Sequence, residues 1–118
     1  MTKHRITRHF INRAKKRAGL NRKATIKFYN KAIVCGLKAE SFKSRPLFFK
    51  YLNKIARYNY HTIVYNRYIL ICSDIDDIAI TLLNLPKEYY SLVDSIRKIK
   101  KGIKDNDIEK YSNDKRCN

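Results

Sequence analysis

Apolar residues recur along this chain first with the period of a helix and later with that of a strand. Ile6, Phe10, Ala14 and Ala18 stand four apart, one stripe of an amphipathic helix. Thr7 offers an N-cap hydroxyl, and Gly19 followed by Leu20 offers a terminating glycine with a trailing apolar contact. The spacing predicts a helix over 7–18. Ala24, Phe28, Ala32 and Cys35 mark a second stripe, with Ile33 beside it, between Asn21 as N-cap and Gly36 as terminator. That predicts a helix over 22–35, and the short turn between the two makes them an antiparallel pair or a corner. Residues 38–45 are polar and read as a loop. Pro46, following Ser44, suits the first turn of a third helix. Its apolar face is Leu47, Phe48, Tyr51, Leu52 and Ile55, and it ends near Arg57.

The period then drops to two. Tyr60–Tyr65 and Tyr68–Cys72 read as strands around Asn66-Arg67, a two-residue hairpin turn without the usual glycine. Ser73–Asp77 is a polar turn, Ile78–Leu83 a third strand, and Pro86 stops it. A last helix over 88–101 presents Leu92, Val93, Ile96 and Ile99 on one face. The expected class is α+β: two to three N-terminal helices, a three-stranded antiparallel β-meander and a C-terminal helix, with the helices on one side of the sheet. Residues 1–104 read as a single basic domain and 105–118 as a polar, frayed tail. At 118 residues and 44% hydrophobic, the chain supports one modest core and not two.

Charge changes the picture most. Lys and Arg number 27 against 10 acids, a formal net charge of +17. Residues 1–73 hold 18 of the bases and a single acid, Glu40, whereas residues 74–118 hold 9 bases and 9 acids. A biased codon usage would enrich Lys, but it would not remove acids from one half of the chain. The imbalance is the electrostatic footprint of a polyanion-binding protein. Arg13 and Arg17 are a like-charge i,i+4 pair, which weakens an isolated helix and suits a face that meets counter-charge. Lys23, Lys27 and Lys31 form a second i+4 row. The expected contact set is Arg5, Arg8, Arg13, Lys15, Lys16, Arg17, Arg22, Lys23, Lys27, Lys31 and Arg67. The expected partner is RNA, with DNA not excluded.

Other chemistry is sparse. No apolar run approaches the roughly 18–20 residues of a membrane span, and the first helix lacks the bulky face of a membrane-surface helix. The N-terminus is charged from Lys3 onward with no secretory signal behind it. Cys35, Cys72 and Cys117 form no C-x-x-C, and His4, His9 and His61 do not join them at zinc spacing. Cys35 and Cys72 read as small buried hydrophobes in a reducing, cytoplasmic compartment. Asp74, Asp76 and Asp77 resemble the opening of a calcium loop, but the glycine and distal glutamate are missing, so they read as a polar turn. No phosphate-cradling glycine loop is present. No metal or cofactor is expected. Three helices before a hairpin also describe a winged helix, but the third helix is too apolar to read bases.

RNA cleavage without metal needs a base, an acid and a cation for the phosphorane, because the 2′-OH is the nucleophile. The candidates are His9 with Arg13, one turn apart, and His61, with Arg67 and Tyr58, Tyr60, Tyr65 and Tyr68 nearby in sequence. His9 beside Phe10 also fits a surface histidine bonded to a neighbour, and His61 fits sheet packing equally well. The tyrosines fit ordinary strand formers as well as base-stacking platforms.

The run Thr7-Arg8-His9-Phe10-Ile11-Asn12-Arg13-Ala14-Lys15-Lys16-Arg17-Ala18-Gly19-Leu20 resembles the opening K-H-A-x-E-R-x-K-E-R-x-G-L of small uncharacterised proteins from phages and mobile elements of low-GC bacteria. Gly36-Leu37-Lys38 resembles their G-(I/L)-K join, and Ile80-Thr81-Leu82-Leu83-Asn84-Leu85-Pro86 their I-T-V-L-x-L-P ending. The likeness covers residues 7–86. It matches His9 to the family's first-helix histidine and Arg13 and Arg17 to its repeated arginines. Asn12 and Lys16 stand where the pattern has Glu, which makes this chain more basic and favours binding over catalysis. The layout is also similar to that of barnase- and RelE-like RNA-cleaving toxins. Three functions are therefore expected to compete. The first is a small basic nucleic-acid-binding protein of phage or mobile-element type, gripping RNA or a nucleoprotein through its first two helices. The second is a metal-independent endoribonuclease using His9, His61 and Arg13. The third is an anti-defence inhibitor, for example an anti-CRISPR protein, acting on a host nuclease or its guide RNA.

Overall fold

The structure is a computed structural model; it describes residues 6–100, Lys100 by its backbone alone. The Thr7 hydroxyl accepts from the Phe10 amide at 3.0 Å and caps α1 (Arg8–Ala18). Gly19 ends it in the left-handed region at φ 67°, which glycine adopts without steric cost. The Asn21 side chain accepts from the Ala24 amide at 2.8 Å and caps α2 (Arg22–Cys35). The buried stripe of α2 is Thr25, Tyr29 and Ala32. Phe28 from the expected stripe is half-buried, because the helix is turned so that Tyr29 reaches the core.

Residues 38–45 are not simply a loop. Leu37–Lys38 form a short strand, β1, followed by a 3-10 turn over Ala39–Phe42. Phe42 is fully buried and anchors this segment. Next come α3 (Pro46–Ala56), with Pro46 in its first turn, β2 (Tyr60–Tyr65), β3 (Tyr68–Ser73) and β4 (Ala79–Asn84). A 3-10 turn over Lys87–Tyr89 leads into α4 (Tyr90–Lys100). The expected tail over 105–118 lies outside the described residues.

The sheet has four antiparallel strands in the order β1-β2-β3-β4, one more than expected. The extra strand, β1, pairs Leu37 with Val64 and Lys38 with Ile63. The hairpin falls where expected. Tyr65 pairs with Tyr68 across Asn66-Arg67, and Asn66 at φ 55° takes the left-handed conformation that asparagine tolerates. Ile6 and Thr7 lie against the outer edge of β4, where the Thr7 amide donates to Ala79 O at 3.1 Å. That cover protects an otherwise open strand edge.

The helices do not sit on one side of the sheet, and the core is not single. Successive β-strand side chains point to opposite faces. Ile69 and Ile71 of β3 join Phe42, Phe48, Leu52, Val93 and Ile96 in one cluster, under α3 and α4. Leu70 and Cys72 join Phe10, Ala14, Tyr29 and Ala32 in a second, under α1 and α2. The result is three layers, with the first two helices on one face and the last two on the other. Cys72 is a buried free thiol. Cys35 is half-buried, so the reading of both as small buried hydrophobes holds for Cys72 alone. Among the described residues no helix is long and apolar enough to cross a membrane.

Candidate functional site

The outer layer made by α1 and α2 carries nine Lys and Arg. Between Ile6 and Ala39 the sequence holds Lys and Arg but no acid. Both helices bury one stripe against the sheet, so their polar stripes face solvent. Arg8, Lys15 and Lys16 of α1 and Arg22, Lys23, Lys27 and Lys31 of α2 are exposed. Asn12, which had no part in the expected contact set, is exposed between Arg8 and Lys16 at i+4 spacing. Lys23, Lys27 and Lys31 climb α2 in steps of about 6 Å. The two rows run out from the same turn at Gly19–Asn21, one along each helix.

Two arginines of this layer are half-buried and tied to their surroundings. The Arg17 guanidinium donates to Leu82 O at 2.8 Å, which fastens α1 to β4. Arg13 Nε donates to His9 Nε2 at 3.3 Å. The Thr81 hydroxyl lies 3.1 Å from the same ring nitrogen. A guanidinium can only donate, so His9 Nε2 is the acceptor and the ring proton sits on Nδ1. The structure therefore brings His9 and Arg13 together, as their spacing predicts. It also fills the lone pair that a general base would use.

His61 has different partners. Its Nδ1 meets Asp74 Oδ1 at 2.8 Å, and its Nε2 lies 2.7 Å from Asp77 Oδ1. The second contact is short but makes no hydrogen bond. The strand β1 covers only Ile63 and Val64 of β2, which leaves the edge of β2 open at His61. A cavity of about 490 Å³ opens there among Lys38, Glu40, Phe49, Asn53, Asp74 and Asp77. Among the described residues no three His, Cys, Asp or Glu side chains are placed to hold a metal ion. Two carboxylates beside the ring repel a phosphate, so this is a poor place for RNA chemistry.

Arg67 is occupied elsewhere. Its two terminal nitrogens meet the two Asp94 carboxylate oxygens, each at 3.1 Å, and its guanidinium lies 4.2 Å from the centre of the Tyr90 ring. It clamps the β2–β3 hairpin to α4 on the far side from α1 and α2. Tyr65 and Tyr68 pack edge-to-face on Phe28. Tyr58 and Tyr60 are exposed, next to Asp74, whose amide donates to Asn59 O at 3.0 Å. Arg5 lies outside the described residues.

The aspartates facing His61, the Thr81 partner of His9 and the Asp94 partner of Arg67 were not found by spacing. Each pair is joined across the fold, and the register of the hairpins is the one signal that could have suggested the first. No protein-family model, no curated protein and no solved structure matches the chain.

Proposed function

We propose that this is a small basic nucleic-acid-binding protein, of phage or mobile-element type, that grips RNA through the outer faces of α1 and α2. One observation carries the reading: seven exposed Lys and Arg share one layer with no acid between Ile6 and Ala39. Such a surface binds phosphates and releases their counterions. Binding is favoured over cleavage because His9 Nε2 is already an acceptor and His61 stands between two carboxylates.

The test is a labelled RNA incubated with the protein in EDTA, run on native and denaturing gels at two salt concentrations. The expected result is intact RNA that shifts on the native gel and is released at high salt. Replacing Lys23, Lys27 and Lys31 by Ala should weaken the shift by roughly tenfold or more. Shortened RNA that His9→Ala abolishes would instead establish the endoribonuclease. No shift and no fragments would point to a protein target such as a host nuclease.

A further inference from the structure

We infer that the α1–α2 surface is built for a double helix and not for a single strand. The inference rests on the proposed nucleic-acid reading and names the form of nucleic acid it takes. Two features of the layer carry it.

The first is that the donors form two rows. Arg8, Asn12 and Lys16 lie along α1, and Lys23, Lys27 and Lys31 along α2, all exposed and all on the side away from the sheet. Packed helices stand about 8–10 Å apart at their axes, and outward-reaching side chains widen that gap. The separation is of the order of the roughly 12 Å major groove of B-form DNA; an A-form RNA duplex offers its wide, shallow minor groove to such a surface instead. Two rows that leave one turn can each follow a phosphate strand. A single strand fills one row and leaves the other unused.

The second feature is the state of the aromatic rings. Proteins that hold single strands pair a basic groove with exposed rings on which bases stack. In this layer the rings are committed to the core. Phe10 is fully buried, and Tyr29 is buried with its hydroxyl donating to Asp77 O at 2.7 Å. Phe28, Tyr65 and Tyr68 are half-buried in an edge-to-face group. Among the described residues the exposed tyrosines, Tyr58 and Tyr60, adjoin the acidic β3–β4 turn, which repels a nucleic-acid backbone. The surface thus offers phosphate contacts and no stacking platform. It reads backbone geometry rather than sequence.

The experiment is fluorescence anisotropy of the full chain with three labelled probes of about 20 nucleotides per strand, long enough to span the layer. They are an RNA duplex, a DNA duplex and an unstructured oligouridine. The expected result is at least roughly tenfold tighter binding to one or both duplexes at equal salt. The two duplex arms decide which backbone is preferred. Lys16→Ala and Lys27→Ala, one from each row, should each flatten the duplex salt dependence by about 0.9 in log–log slope. Tyr58→Ala should leave all affinities unchanged. Oligouridine bound as tightly as the duplexes, or a tenfold loss in Tyr58→Ala, would overturn this inference and leave the proposed function standing. Failure of all three probes to bind would overturn both.

Discussion

Cys72 shows how one buried side chain reports its surroundings. Burial comes first and the nearby Asp77 carboxylate second, and together they push its thiol up to about 12, against a small opposing pull from Lys38. The folded chain therefore keeps a proton that the unfolded chain releases near its ordinary value of 9.0. The resulting stability is complete below pH 9 and is lost as pH climbs from 9 toward 12. In urea melts, this one group should add a loss of about 1.4 kcal/mol per pH unit across that window. Cys72→Ala should show a correspondingly shallower decline. Native Cys72 should also resist alkylation at neutral pH, since the thiolate is the reactive form. At the same scale, His9 and Arg13 were legible as a pair from their spacing, whereas the aspartates around His61 were not. Residues 61 and 77 meet because β2 and β3 pair His61 with Cys72, and a linear reading carries no such register.

Elements were read more reliably where a local rule governs them. Thr7, Asn21, Gly19 and the Asn66-Arg67 turn each act within a few residues, and the helices and hairpin they delimit formed where expected. The failure at 38–45 has the opposite cause. Leu37–Lys38 is a strand because Ile63 and Val64 lie beside it, and two residues carry no period of their own. Gly36 belongs to this junction. A methyl group there would run into Ile63 Cγ2 of β2 and the Ala32 carbonyl of α2. Gly36→Ala should therefore push β2 away from α2 and cost about 1–3 kcal/mol, measured as a lower urea midpoint. Gly19→Ala meets open space but keeps a positive φ; it serves as the comparison that separates a clash from a backbone effect.

At the scale of the whole molecule, one layer concentrates like charge. Free of a partner, that layer repels itself and weakens the compact state. Salt should therefore stabilise the free protein. Its melting temperature should rise as sodium chloride goes from about 10 to 150 mM, where the Debye length falls from about 30 to 8 Å. Lys27→Glu should reduce that rise by lowering the repulsion within α2. The same salt should weaken nucleic-acid binding, so stability and affinity should move in opposite directions. A melting temperature indifferent to salt would mean that the exposed cations are too well solvated to interact.

Charge segregation, helix caps, the hairpin turn and the apolar stripes were all present in the linear chain. Each depends on residue type or on neighbours a few positions away, and solvent acts on these directly. Which helices cover which face of the sheet was decided only by tertiary contact. The run Ile69-Leu70-Ile71-Cys72 is apolar at every position, which is the mark of a strand covered on both faces. Read as an alternating strand, it implies helices on one side. Covered on both sides, it divides the core and places α1 and α2 together on one face. That division sets the nine Lys and Arg of α1 and α2 together on one face of the sheet. It also binds Arg67 to Asp94, away from the surface its charge had suggested. Long-range pairing fixes these features because they depend on which distant segments exclude water from the two faces of one strand.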